Sequence, residues 1–265
     1  MKMKFPILFD FFLLLLIICS SHGDAYNISP LVSGVLTSLL LSSTPPTNTD
    51  IPSLNNVIAG RYDSYSSAYD QLDGKTSASA NTFGVLDLRQ QASESVSGDV
   101  LEVAIGTGLQ SEYYDAKTIN SFTGIDLSEG MLRIAQQRLS NTLSSVNPRT
   151  LKLMNAEKLG FKDETFDTVI DTFSMCVIPN PDEAIKEIAR VAKSGGKVIL
   201  LENTRSDNIA VAMAQDVLEP FVTPMSKDCR WNVDVQSLAI KHGLKLVNDE
   251  RRSFGTLQLG VYKKS

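Results

Sequence analysis

The stretch Asp99-Val-Leu-Glu-Val-Ala-Ile-Gly-Thr-Gly108 constrains this chain more than any other. Val100 to Ile105 is an apolar, β-branched run interrupted only by Glu102, and it ends abruptly in Gly106-Thr-Gly108. A buried parallel strand reads this way, and the glycines let the backbone turn hard and approach a ligand closely. A second apolar run, Phe122 to Ile125, ends in Asp126, twenty positions after Gly106. In a strand–helix–strand unit that spacing brings a carboxylate at the tip of the second strand beside the glycine turn. There it can accept both hydroxyls of a ribose. The sequence therefore predicts a nucleoside-containing cofactor bound across two adjacent strand ends.

Two cofactor classes share that geometry. A dinucleotide turn wants G-x-G-x-x-G, with a third small residue for close helix–strand packing. Here the third position is Ser111, and Glu102 inside the first strand has no role in cradling a pyrophosphate. A carboxylate suits a ligand with a cationic amino group. S-Adenosylmethionine has one, together with a sulfonium, so residue chemistry favours the methyl donor. An NAD(P)-dependent oxidoreductase stays as the alternative, as does a non-catalytic assembly or binding protein on the same fold.

The rest of the chain alternates strands and helices. A helix is expected from about Leu109. Ser128 can cap the next, whose apolar face is Met131, Ile134, Ala135 and Leu139. Leu151 to Met154 and Phe166 to Phe173 read as the third and fourth strands. Asn180-Pro-Asp-Glu183 is a helix start with cap, early proline and acidic first turn. Ile185, Ile188, Val191 and Ala192 give that helix its buried face, and Gly195-Gly196 is expected to end it. Lys197 to Leu201 follows as the fifth strand. Asp207 to Leu218 and Val233 to His242 are expected helical, and Leu244 to Val247 with Thr256 to Tyr262 form a closing antiparallel pair. Strands alternating with helices mean an α/β, doubly wound parallel sheet.

With 265 residues, 43% of them hydrophobic, the chain is long enough for one substantial core. A net charge of −5 and the lack of any Lys/Arg block argue against nucleic acid as a partner. Cys19, Cys176 and Cys229 show no CxxC pair, and with His22 and His242 the only histidines no metal site is expected. His242, beside Gly243 at a helix end, suits the dipole better than catalysis. Residues 1–25 read as a signal peptide or signal anchor: Lys2 and Lys4, an apolar run Phe11 to Ile18, then small residues. Residues 26–60 are Ser/Thr-rich with Pro45-Pro46 and read as a flexible targeting or spacer segment. The folded domain is expected over 61–265. That N-terminus implies entry to the secretory pathway, with a plastid-type organelle or the endoplasmic reticulum membrane as final site, and membrane association through it is open.

Five motifs then occur in one order. Glu102-Val-Ala-Ile-Gly-Thr-Gly108 resembles the E/D-x-G-x-G-x-G first motif of class I S-adenosylmethionine-dependent methyltransferases. Gly124-Ile-Asp-Leu-Ser-Glu-Gly-Met-Leu132 resembles their second motif, and Asn155-Ala-Glu-Lys-Leu-Gly-Phe161 the D-A-E-x-L-P-F segment. Phe166-Asp-Thr-Val-Ile-Asp171 is similar to the fourth strand and Lys193-Ser-Gly-Gly-Lys197 to the R-P-G-G turn. The likeness runs from about Tyr62 to the C-terminus. Within the superfamily it is nearest the type 11 group: ubiquinone/menaquinone C-methyltransferases, phospholipid N-methyltransferases and membrane-associated thiol methyltransferases.

The resemblance implies a Rossmann-like, seven-stranded sheet and S-adenosyl-L-methionine as cofactor. Its methyl would go to a small, lipophilic acceptor: a quinone precursor, lipid, thiol or phenol. It implies cofactor contacts at Glu102, Ala104, Gly106, Gly108, Asp126, Leu127, Met131, Asn155 and Ala156. Ala104 stands where the family usually has glycine, and Asn155 where it usually has aspartate. Tyr62, Tyr65 and Tyr69, at i, i+3 and i+7, form either a core stripe or a lid, and with Phe173 and Cys176 Tyr65 and Tyr69 are the residues expected at the acceptor. Trp231 and Phe221 either line that pocket or pack under it. No catalytic residue is identifiable.

Overall fold

The computed structural model describes residues 54–72, 84–226 and 228–265. The expected signal segment, and the spacer as far as residue 53, lie outside the described residues. The five parallel strands are β1 (Gly98–Val103), β2 (Ile119–Asp126), β3 (Arg149–Leu153), β4 (Phe166–Thr172) and β5 (Ala192–Asn203). Two more, β6 (Leu244–Arg252) and β7 (Leu257–Lys264), complete a seven-stranded sheet in the order β3-β2-β1-β4-β5-β7-β6. β7 runs antiparallel to both β5 and β6, so the closing pair is as the sequence implies.

The helices are α1 (Leu54–Tyr65), α2 (Tyr69–Leu72), α3 (Val85–Glu94), α4 (Glu129–Thr142), α5 (Pro181–Val191), α6 (Ile209–Met225) and α7 (Val235–Lys241). Side-chain alternation along β1 explains how they cover the sheet. Leu101 and Val103 face a core with Ile185, Ile188 and Ala239 of α5 and α7. Val100 faces the other, with Leu88 of α3 and Ala135 and Leu139 of α4. The strand order reverses at β1, between β2 and β4, and the crevice that this opens at the carboxyl ends of the strands is where a ligand fits.

Several boundaries differ from the sequence reading. Only a 3-10 turn, Leu109–Tyr113, follows the glycines, because the chain leaves it in extended conformation at Tyr114 to reach β2. Gly195-Gly196 do not end α5: the helix stops at Val191, and the glycines lie inside the β5 run, Gly195 at φ +73°. α6 continues to Met225 through Pro220 and Pro224, past the end expected at Leu218. The domain start expected at 61 falls inside α1, which passes Gly60 without a break. The tyrosine stripe is not one helix, since a 3-10 turn, Ser66–Ala68, separates α1 from α2.

Candidate cofactor and acceptor cleft

The turn after β1 is built around two left-handed glycines, Gly106 (φ +56°) and Gly108 (φ +76°). A side chain on Gly108 would stand 3.3 Å from Ala135 Cα, so this glycine lets α4 pack close to the turn. On Gly106 the added carbon would meet nothing nearer than Ala104 O at 4.0 Å. That carbon would occupy open space in the cleft, which is where a ligand can lie on bare backbone. Ala104 is itself left-handed, at φ +47°, although it carries a methyl group.

β2 delivers Asp126 beside that turn. Its Oδ2 accepts the Gly106 N–H at 2.8 Å and its Oδ1 the Ser128 N–H at 2.9 Å. The Leu127 N–H also acts on the carboxylate, which still has acceptor capacity on the side that lines the cleft. Burial pushes the Asp126 carboxyl up to about 6, against the lowering by its backbone donors. Ser128 caps α4 by accepting the Met131 N–H at 3.0 Å, as its position predicts.

A cleft opens over these groups, about 740 Å³ of empty space counting the part open to solvent. Of the expected contacts, Ala104, Gly106, Asp126, Leu127, Met131, Asn155 and Ala156 line it, as do Tyr69 and Phe173. Gly108, Glu102, Tyr65 and Cys176 are not among its lining residues. Glu102 sits below, fully buried, accepting the Tyr114 hydroxyl at 2.8 Å. Burial raises its carboxyl to about 8, against the lowering by the Tyr114 hydrogen bond and the Arg89 charge. Strand alternation explains this, since Glu102 follows Val100 toward the α3 side of the sheet. Cys176 is buried against Cys229, outside the lining. Phe221 is 70% exposed and does not pack under the cleft, whereas Trp231 is buried. His242, the residue that closes α7, meets Asp182 of α5 at 2.8 Å.

Residues 101–200 match the family model described as a methyltransferase domain. The chain carries a methyltransferase domain. A phosphatidylethanolamine N-methyltransferase of Cereibacter sphaeroides is 37% identical over 138 residues, 52% of this chain and 64% of that protein. A ubiquinone/menaquinone biosynthesis C-methyltransferase of Burkholderia mallei is 34% identical over 147 residues, 55% of this chain and 59% of the relative. Both matches span less than two thirds of the relative's own length. Among solved structures, the magnesium protoporphyrin IX methyltransferase of Synechocystis PCC 6803 with bound SAH superposes with a TM-score of 0.59. It is 18% identical, over 80% of this chain and 100% of that one, which is a likeness of fold.

The methyltransferase domain reaches outside the matched residues to complete its cleft. Asn55, Ile58, Ala59 and Tyr62 of α1 line it. Asn55 donates to Glu157 at 3.0 Å, while its own Oδ1 is buried with no hydrogen-bond partner among the described residues. Two acidic residues latch this N-terminal segment down. Asp63 accepts the Ser128 hydroxyl at 2.5 Å and the Gly130 N–H at 2.8 Å, and the first bond does most to hold its carboxyl below the usual range. Asp70 accepts the Thr107 hydroxyl at 2.7 Å and pairs with Arg138, which also donates to Thr107 O at 2.8 Å. The Tyr62, Tyr65 and Tyr69 rings meet in sequence, tilted and then edge to face, with centroids 5.8 and 5.6 Å apart. Asn55 and Ile58 fell outside the sequence reading because the Ser/Thr-rich stretch before them masks a short helix with little amphipathic pattern.

Proposed function

We propose that this chain is an S-adenosyl-L-methionine-dependent methyltransferase acting on a small, lipophilic acceptor. The observation behind the cofactor is the pairing of a bare-backbone turn at Gly106 with a half-buried Asp126 whose carboxylate lines the cleft beside it. When bound, S-adenosylmethionine supplies an electrophilic methyl group on a sulfonium sulfur. Asp126 would accept the two ribose hydroxyls. Leu127, Met131 and Ala156 would flank the adenine, and the free Asn55 Oδ1 and the Asn155 side chain offer acceptors to its amino group. Ala104, Thr172 and Phe173 wall the opposite end, under Tyr69. Holding donor and acceptor in line can supply on the order of 7–11 kcal/mol of the barrier.

An apolar acceptor is favoured by the aliphatic and aromatic lining, Ile58, Tyr62, Phe173, Val177 and Ile178 among it. Quinone precursor, lipid, thiol and phenol all fit that chemistry, and the relatives' own names speak of a phospholipid and of quinones. Membrane association is part of this reading. Ile209, Met213, Val217 and Phe221 stand exposed at intervals of four along α6, a stripe suited to lipid. No helix of the described residues is long and apolar enough to cross a membrane. The test is titration calorimetry of the full chain with S-adenosylmethionine, its demethylated product and NADH, then radiolabelled methyl transfer over an acceptor panel. Binding of NADH but neither sulfur compound would reverse the assignment to the oxidoreductase alternative.

A further inference from the structure

The carboxyl ends of β4 and β5 bring two acidic side chains together under the acceptor end of the cleft. Asp171 and Glu202 are both fully buried. Asp171 Oδ1 accepts the Ser174 hydroxyl at 2.6 Å. The two Glu202 oxygens accept the backbone N–H groups of Ser174 at 3.1 Å and Met175 at 3.2 Å. Asp171 Oδ2 is buried with no donor among the described residues, and the Asp171 side chain lies within hydrogen-bonding reach of the Glu202 carboxyl. Two ionised carboxylates do not share a dry site, so the contact is closed by one proton held between them. Burial is the largest cause raising both carboxyls. Ser174 links the pair to the cleft, because it lines the wall next to Phe173.

We propose that Asp171 and Glu202, reached through the Ser174 hydroxyl, form a proton-accepting relay, and that the acceptor this site takes is a thiol or hydroxyl that loses its proton on methylation. The inference rests on the methyltransferase reading. In the step, the sulfonium–methyl bond breaks, its electron pair stays on sulfur, and a bond forms between the methyl carbon and the acceptor atom. The acceptor's proton passes to Ser174 Oγ as the Ser174 proton passes to Asp171. The pair goes from one shared proton to two, and later returns one to solvent. A tertiary amine has no proton to give and makes no use of this arrangement. The titratable groups around the pair are Cys176 and Cys229 from the loops, and Glu102 through the sheet. From β7, Gln258 lies opposite Glu202, hydrogen-bonded to Asp249 and Gln236.

The test uses the full chain. Infrared spectroscopy comes first, in a Glu102→Gln background that removes the other fully buried carboxyl. A protonated-carboxyl band at pH 7 that disappears in the Asp171→Asn, Glu202→Gln double variant is expected. Absence of that band, or its persistence in the double variant, overturns the relay whatever the acceptors do. Turnover is then compared on thiophenol, phenol and N,N-dimethylaniline. Expected is a fall in kcat of about 100-fold on phenol in Asp171→Asn, with KM within about twofold and the pH profile flattened. The loss on thiophenol should be smaller, because that acceptor ionises unaided. Dimethylaniline methylated as fast as phenol, or equal losses on both acidic probes with an unchanged pH profile, overturns the proposal. Calorimetry with S-adenosylmethionine separates the two readings: a wild-type chain that fails to bind it refutes the cofactor assignment instead, and Asp171→Asn should bind it as wild type does.

Discussion

The two halves of the cleft are built in different ways. The β1–β2 half is backbone and one carboxylate: two left-handed glycines, the N–H groups of Gly106 and Ser128, and Asp126 between them. All of it lies within a short span of sequence. The other half is assembled from α1, α2 and the loop after β4, which are far apart in the chain and are held by side-chain latches such as Asp63–Ser128 and Asp70–Thr107. A half made of backbone geometry depends on a few positions strongly. A half made of side chains spreads its dependence over many.

The sharpest test of that difference is Asp126→Ala. Removing two charge-assisted hydrogen bonds to a ribose, at roughly 1.5–3 kcal/mol each and not fully additive, should cost about 2–4 kcal/mol of cofactor affinity. That is roughly 30- to 1000-fold, read by titration calorimetry. The melting curve should shift little, because the bonds lost to the Gly106 and Ser128 N–H groups are offset by removing a carboxyl that burial disfavours. An unchanged affinity would remove the carboxylate from the ribose and break the comparison.

The same residue sets a pH dependence. Burial pushes the Asp126 carboxyl up to about 6, and it must be ionised to offer all its acceptor positions. Cofactor affinity should therefore fall as pH drops through about 6, and Asp126→Asn should flatten that curve. In the ligand-free chain the sign is opposite. A carboxyl whose folded pKa is raised contributes stability that is complete below its unfolded value and is lost as pH rises through about 6. Melting followed against pH, with and without cofactor, separates the two.

On the side-chain half, a chain starting at Leu54 should outlast one starting at Arg61. The shorter one loses Ile58, whose burial is worth about 1.5–3 kcal/mol, and the Asn55 amide at the cleft. Equal melting temperatures and equal cofactor affinity would return the domain boundary to 61. Asp63→Ala should be milder, about 1 kcal/mol, since Asp63 is exposed and its bonds are partly screened.

Legibility in the sequence follows the same division. The sheet, its closing antiparallel pair, the Ser128 cap and the position of Asp126 beside the glycine turn were readable because each rests on local pattern: an apolar run, a glycine turn, a cap residue at fixed offset. Glu102 lies beneath the cleft lining, which the sequence does not show because it fixes a position on β1 and not a face. Strand alternation turns it toward Tyr114 and away from the cleft. Asn55, Ile58 and Ser174 enter the site through long-range packing, which no spacing rule encodes. The Asp171–Glu202 contact needs the β4–β5 register, in which Asp171 is partnered with Leu200, two residues before Glu202.

The smallest expected effect lies inside the backbone half, at Ala104. Its φ of +47° is left-handed, a conformation that costs an L-residue with a Cβ roughly 1–2 kcal/mol and costs glycine almost nothing. Glycine in turn loses more freedom on folding, which offsets part of the gain, so Ala104→Gly should stabilise the domain by about 0.5–1 kcal/mol. Ala104 also lines the cleft, and its methyl narrows the space beside Gly106. Ala104→Gly should therefore raise stability while leaving cofactor affinity within a few-fold, since the hydrogen bonds of Gly106 and Asp126 are untouched. Denaturant melts beside calorimetric titration read both quantities. A destabilised variant would show that the methyl group packs against the turn strongly enough to outweigh the strain, and the turn would then depend on a side chain as the other half of the cleft does.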